Sequence, residues 1–346
     1  MKIVSTRNTA FDLLKCFAIY LVIYCHILQY LQPGDYLDKI PYVYVYSFHM
    51  PLFMSLTGYF SLSSMDLGLV SFLKKKGSSL LLPALSWGGV ELCFIVLIWI
   101  ITGKEIDYIL TGFVLANVYW YLKSAFICYC LYWLCHRRIN NQFVYVLLLL
   151  LTFLICVFVQ VHNKFIDYNL TVMYLSFLAG VFIRRHIDFQ KINWIPIFVL
   201  FLLFLILLSG WDRSFWHIPY LPDATNIDIF YDYGYKIGYR VAVGLSGALF
   251  FVFLFYIVFR RYSIGQDFIS KWLLSVGRDT LGLYCAHLLF LEVFLFRFKI
   301  GKWVNELVFD LIIAPLIALV MIICLQFLLH MIEKNKVLRL YFLGKI

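Results

Sequence analysis

Two titratable residues, Lys15 and His26, lie in one apolar stretch near the start of the chain. On a helix they are about 20° apart in angle and about 16 Å apart along the axis. Asp12 precedes Lys15 by three residues and can neutralise its ammonium group. In this arrangement a lysine can hold an anionic donor, and the deeper imidazole can take the proton of an attacking hydroxyl. The alternative for a lone membrane histidine is an interhelical hydrogen bond.

Further polar groups interrupt later apolar stretches. Glu91 could orient an imidazole or bind an acceptor; the alternative is a carboxyl that pairs with a polar neighbour or is protonated. His49 is either a second polar contact of a site or a hydrogen-bonding residue at a helix start. Lys75 and Lys76 could bind donor phosphates as flexible point charges, although basic residues beside a span also serve topology.

A last set of candidates could line a passage for an acceptor. Trp120, with Tyr121 beside it, either lines that passage or packs in the interior. His287 and Thr280 are seven residues apart and share one helical stripe, which faces either a cavity or the core. No cluster has metal-ligand spacing, so no metal site is predicted. The nine cysteines fall almost entirely in apolar stretches and are interpreted as apolar fillers.

The amino-acid composition indicates that these residues lie in a membrane protein. Of 346 residues, 63% are hydrophobic and 14% charged, against roughly 45–50% and about 25% in soluble domains. We predict an all-α polytopic integral membrane protein with one membrane-embedded domain over residues 1–346 and no cleavable signal peptide. About ten transmembrane helices are expected, near 11–31, 43–62, 80–101, 109–134, 143–161, 170–185, 194–210, 237–259, 279–297 and 304–332.

Basic residues predict the orientation. Of the 29 Lys and Arg residues, eighteen fall in one set of connections, eight in the opposite set and three within helices. The positive-inside rule therefore places both termini in the cytoplasm. The net charge of +10 is mostly this signal, with attraction to anionic membrane lipid added, and needs no nucleic-acid partner.

The longest connection, 211–236, mixes aromatic rings with carboxylates. Such a mixture can hold sugars, because rings cover apolar sugar faces while carboxylates accept hydrogen bonds from hydroxyls. An interfacial aromatic belt is the alternative. The residues concerned are Asp212, Asp223, Asp228, Asp232, Trp211, Trp216, Tyr220, Tyr231, Tyr233 and Tyr235.

Ordered motifs resemble the acyltransferase-3 family of membrane O-acyltransferases, in its fucose 4-O-acetylase-like branch. Lysine stands at 15 where the broader family has arginine, Ser79 stands where a second arginine often sits, and Thr57 replaces a serine. The motifs that carry the resemblance are Asp12-Leu13-Leu14-Lys15 with His26, Ser47-Phe48-His49-Met50-Pro51-Leu52-Phe53 with Thr57-Gly58-Tyr59-Phe60, Lys74–Lys76 ahead of Leu80–Pro83, Tyr119-Trp120-Tyr121-Leu122, and Gly277 to His287.

The resemblance implies transfer of an acetyl group from acetyl-CoA to a sugar hydroxyl of a cell-surface polysaccharide or its lipid-linked precursor, in a bacterial cytoplasmic membrane. Acetyl-CoA or another acyl-CoA is then a substrate, and no bound cofactor is expected. The expected roles are catalysis by His26, Glu91 and His49, donor binding by Lys15, Lys75 and Lys76, and lining of the acceptor cavity by Trp120, Tyr121 and His287. The alternatives are a transporter of a glycan or small solute, and a glycan polymerase or ligase.

Overall fold

A computed structural model describes residues 9–103, 119–136, 142–162, 169–216, 227–260, 267–295 and 298–345. Of these residues 88% are helical and none lies in a strand. The helices are α1 (Thr9–Leu31), α2 (Ile40–Tyr59), α3 (Leu69–Thr102), α4 (Trp120–His136), α5 (Gln142–His162), α6 (Leu170–His186), α7 (Trp194–Ser209), α8 (Ile227–Phe259), α9 (Phe268–Arg278), α10 (Thr280–Leu288, continued by Leu289–Leu295), α11 (Glu306–Lys334) and α12 (Lys336–Leu343).

The prediction of an all-helical polytopic membrane protein is confirmed. A helix lies at each of the ten expected positions within the described residues. Helices α1, α3, α5, α8 and α11 are long and apolar enough to cross a bilayer, and α7 and α10 are shorter apolar helices. Much of α5 and α7 exposes large apolar side chains, as a lipid-facing surface must.

Several predicted boundaries are wrong. The connection 211–236 is not a loop throughout, because α8 already begins at Ile227. The third helix begins at Leu69 rather than at residue 80. Two amphipathic helices, α9 and α12, occupy stretches predicted as connections, since their mixed polarity hides them from a search for apolar spans. The first part of the predicted fourth span, 109–118, lies outside the described residues.

Helix α1 is the centre of the bundle. In its most apolar window 78% of residues are buried, against 11% in α5. It contacts α2, α8, α9, α10 and α11. The stripe that carries Lys15 and His26 therefore faces protein over most of its length.

Close backbone contact fixes α2 against α6. A Cβ at Gly180 would overlap the backbone of Ser55, and a Cβ at Gly58 would overlap the backbone of Phe177. The Ser55 hydroxyl donates to the Ser176 carbonyl at 3.1 Å. Small residues that let two helices approach are a common packing solution in membranes, where no hydrophobic force pulls helices together.

Three helices contain π-helical turns, at 77–81 in α3, 289–295 in α10 and 309–313 in α11. The turn in α10 begins two residues after His287. Such turns are rare in proteins overall, and many of those that occur lie at functional sites.

The C-terminal helix α12 braces α3 and α10 at the end of the bundle that holds Lys15. The Trp87 indole in α3 donates to the Phe342 carbonyl at 2.9 Å. The Lys345 ammonium lies 2.9 Å from Asp279, just before α10, and 3.0 Å from Glu333 in α11. These contacts join the helices that carry Glu91 and His287.

Candidate active site

A pair of histidines joins α1 to α10. The Nδ1 atom of His26 lies 2.8 Å from the Nε2 atom of His287, and the two rings stack with centroids 5.0 Å apart. His287 is fully buried, whereas His26 keeps part of its surface accessible. The pairing was not predicted, since the two residues are 261 positions apart in the chain.

The hydrogen bonds around this pair determine its tautomers. The Nδ1 atom of His287 lies 2.9 Å from the Leu283 carbonyl, which can only accept. Neutral His287 therefore carries its proton on Nδ1 and presents a lone pair at Nε2. His26 then donates from Nδ1 to that lone pair, which leaves its own Nε2 unprotonated. The accessible histidine is thus the one whose second nitrogen can accept a proton.

His49 is a third buried histidine in this part of the interior. Its Nδ1 donates to the Val45 carbonyl at 2.9 Å, so its Nε2 is also an acceptor. The ring lies 5.6 Å from that of Tyr46 and close enough to His26 for electrostatic interaction. The structure therefore places His49 near the histidine pair, without a direct bond to it.

A cavity of about 240 Å³ opens beside α1 between α2, α4 and α10. Its wall is mainly aromatic and aliphatic, with Lys15 and a few hydroxyls as polar groups. Tyr284 connects this cavity to the histidine pair, because it lines the wall and its ring lies 5.9 Å from that of His287. The lining residues are Lys15, Met50, Phe53, Leu56, Thr57, Phe60, Leu80, Tyr121, Leu122, Ala125, Tyr129, Thr280, Leu281 and Tyr284.

One lysine lines this cavity, and a second packs against its wall. Lys15 is 3.6 Å from Asp12, as the spacing predicts, and its ammonium lies 4.3 Å from the centroid of the Phe60 ring. Lys76 is buried, with its ammonium 3.6 Å from the centroid of the Tyr129 ring in the cavity wall. Lys75 is exposed. Of the two predicted donor-binding lysines Lys75 and Lys76, Lys76 is thus the one that packs against a residue of the cavity wall.

Hydroxyl groups form a second polar feature of the wall. Thr57 donates to the Phe53 carbonyl at 2.9 Å, so the Tyr121 hydroxyl, 2.8 Å away, donates to Thr57. The oxygen of Tyr121 can still accept hydrogen bonds, and this residue lines the cavity. Thr57 stands where the resembling family has serine, and its hydroxyl takes part in both of these hydrogen bonds.

Glu91 lies on α3, facing α10. The Tyr119 hydroxyl is 3.3 Å from the Glu91 Oε2 atom and 3.3 Å from the Cys285 carbonyl, two residues before His287. Glu91 is buried, and this contact links it to the backbone of α10. The structure thus places Glu91 beside the helix that holds His287. Its expected part in orienting an imidazole stays a prediction.

Trp120 and Tyr121 face different spaces. Tyr121 lines the large cavity, whereas Trp120 lines a separate small pocket of about 10 Å³ with Tyr46, Asn169 and Arg240. Met50 lines both spaces. The pocket lies along the middle of α2, whereas the cavity extends to Thr57 near the end of that helix and to Phe60 just after it. Arg240 is one of the three basic residues that the sequence places within helices.

Comparison with known proteins identifies the family of this chain. A model of the acyltransferase-3 family, described as an acyltransferase domain, matches residues 8–331. Nodulation protein NolL of Mesorhizobium japonicum is 38% identical over 141 residues, which is 37% of this chain and 35% of that protein. The match thus spans little more than a third of that relative's length, and no solved structure matches. Since the family model extends over nearly the whole sequence, this chain belongs to the acyltransferase-3 family.

Proposed function

We propose that this protein is a membrane O-acyltransferase that transfers an acetyl group from acetyl-CoA to a sugar hydroxyl of a cell-surface polysaccharide or its precursor. Family membership supports acyl transfer in general. The observation that carries the finer proposal is the hydrogen-bonded series from Leu283 through His287 to His26, next to a cavity that contains Lys15.

This series gives His26 the role of general base. Its Nε2 takes the proton of the acceptor hydroxyl while the hydroxyl oxygen bonds to the thioester carbonyl carbon. The tetrahedral intermediate then collapses, the carbon–sulfur bond breaks, and the imidazolium returns the proton to the CoA sulfur. The products are the acetyl ester and CoA. His287 accepts from Nδ1–H throughout and stabilises the imidazolium that forms.

Lysine side chains provide the positive charge that binds the donor. CoA carries phosphates; Lys15 lines the cavity, and Lys76 packs against Tyr129 in its wall. The aromatic and aliphatic wall between them suits the uncharged arm of the donor. Basic residues are in excess at the end of the bundle that holds Lys76, and the positive-inside rule predicts that this end faces the cytoplasm. This supports a donor entrance on the cytoplasmic side. We place the protein in a bacterial cytoplasmic membrane, with both termini on that side.

The test is acceptor-dependent release of CoA by the purified protein, followed by mass spectrometry of the saccharide product. A general base contributes roughly 10²–10⁴-fold to rate, so His26→Ala is expected to lose activity by that factor while inserting normally. His26→Gln is expected to fail too, since an amide hydrogen-bonds but cannot take up the proton.

The control separates chemistry from structure. A glutamine at position 26 can still donate to His287, so it would restore a merely structural hydrogen bond. Wild-type turnover by His26→Gln would refute the proposed base. If the wild-type protein released no CoA with any saccharide but moved a labelled glycan across a vesicle membrane, the transporter alternative would replace the enzyme.

A further inference from the structure

Arg240 is a buried cation on α8, with 7% of its surface exposed. Its guanidinium donates to the Asn169 side-chain oxygen and to the Trp216 carbonyl, the latter at 3.4 Å, and lies 6.0 Å from the centroid of the Tyr46 ring. Within the part of the chain that the structure describes, no carboxylate forms an ion pair with it. All of its polar partners there are neutral.

A buried positive charge whose polar partners among the described residues are all neutral favours a nearby anion. Arginine does not give up its proton in proteins, and a buried cation without a counter-charge is costly to the fold. Two other buried or half-buried cations have acidic partners: Lys39 lies 2.5 Å from Glu306 and 3.7 Å from Asp310, and Lys15 lies 3.6 Å from Asp12. Among the described residues, Arg240 differs from these two and resembles the buried Lys76, whose ammonium packs on the Tyr129 ring.

The guanidinium borders the small pocket beside α2. The pocket volume, about 10 Å³, is room for one oxygen-sized group. Aromatic rings pack beside it, with Trp216 4.4 Å from Tyr46 and 5.0 Å from Tyr42 between centroids. Carboxylate and phosphate oxygens fit this space, because a guanidinium offers several N–H groups and binds such oxygens better than neutral ones.

The location of the pocket assigns it to the acceptor. Met50 lines both this pocket and the large cavity that holds Lys15, so the two spaces approach each other at that side chain. The histidine adjacent to Met50, His49, is in ring contact with Tyr46 of the pocket wall. A molecule anchored at Arg240 would therefore lie near His49 and approach the histidines from the pocket side of Met50.

We propose that Arg240 binds an anionic oxygen of the acceptor, so that the preferred acceptor is an acidic saccharide. This inference rests on the proposed function. Two sources share the required chemistry: the carboxylate of a uronic acid, and the phosphate of a phosphorylated sugar.

Binding is tested without catalysis by the thermal unfolding of purified protein with increasing glucuronic acid, glucose 1-phosphate or glucose. One of the two anionic ligands is expected to raise the unfolding temperature more than glucose does, and which one does so identifies the source. The extra stabilisation is expected to disappear in Arg240→Gln. It should persist in Arg213→Gln, a change at an exposed arginine that pairs with Asp35 and Asp38.

Turnover provides the second measurement. Arg240→Gln is expected to raise the KM of the anionic acceptor by roughly tenfold or more, with the KM of a neutral acceptor little changed. Arg240→Lys keeps the charge and should retain part of the preference, which gives a readout should the glutamine variant fold poorly. The inference would be overturned if anionic and neutral sugars raised the unfolding temperature of the wild-type protein equally and also had the same KM. Since the unfolding assay needs no acyl transfer, its outcome is separate from that of the proposed function.

Discussion

Replacing His287 with phenylalanine would remove the group that accepts the Nδ1–H of His26 while filling the same space with a planar ring. The bond is short, 2.8 Å between nitrogens, and His287 is fully buried, so no water can readily substitute. If His26 is the general base, this bond becomes charge-assisted when His26 takes up the acceptor proton. The variant therefore loses an interaction that is strongest in the transition state.

The expected loss follows from the strength of such a bond. A hydrogen bond to a charged group contributes about 1.5–3 kcal/mol, and each 1.36 kcal/mol of barrier is about tenfold in rate. His287→Phe should therefore lower kcat by roughly 10- to 150-fold. The donor KM should change little, because the donor binds before the imidazole becomes charged.

The assay is CoA release at saturating donor and acceptor, with protein amount and thermal unfolding measured in parallel. His287→Gln retains a side-chain oxygen that can accept from His26, so it should keep more activity than the phenylalanine variant. His330→Phe, at an exposed position of α11, is the matched control and should turn over like wild type. Wild-type turnover by folded His287→Phe would refute the role of this histidine pair.

Other consequences are measurable with the same protein. Lys76→Gln should raise the donor KM more than Lys75→Gln, because Lys76 packs against Tyr129 of the cavity wall whereas Lys75 is exposed; equal effects would contradict this donor site. Gly180→Val should destabilise the fold by about 1–3 kcal/mol or more, because the new side chain would overlap α2. Gly89→Val is the control, since Gly89 has open space around it and its replacement should not destabilise the fold in this way. Thermal unfolding measures both. A topology reporter inserted within 217–226 should lie outside the cytoplasm and one after Arg138 inside; the reverse result would overturn the orientation.

The sequence predicted the fold class well because apolar length is a local property. Each span is a run of apolar residues, and a run is visible without knowing its neighbours. Helices α9 and α12 were missed for the same reason, since their apolar face appears only once they pack on the bundle. The start of α8 was missed because its first turns carry aspartates and tyrosines that resemble a loop.

The site was predictable only in part. Lys15 and His26 share a stripe of one helix, so local periodicity was enough to associate them. The partnership of His26 with His287 depends on how α1 packs against α10, which no spacing encodes. For the same reason, sequence alone could not show that Trp120 and Tyr121, although adjacent, line separate spaces.

The π-helical turn in α10 has a bearing on how this protein tolerates insertions and deletions. A π-turn holds one residue more than the α-helix it interrupts, and one residue corresponds to a rotation of roughly 100°. Before the turn, α10 presents His287 to His26; within it, the Phe294 ring packs 5.3 Å from that of Phe94 in α3. Deleting one residue between 289 and 295 would force the helix to give up one of these two alignments. The length of this segment is thus under tighter constraint than the identity of its apolar side chains.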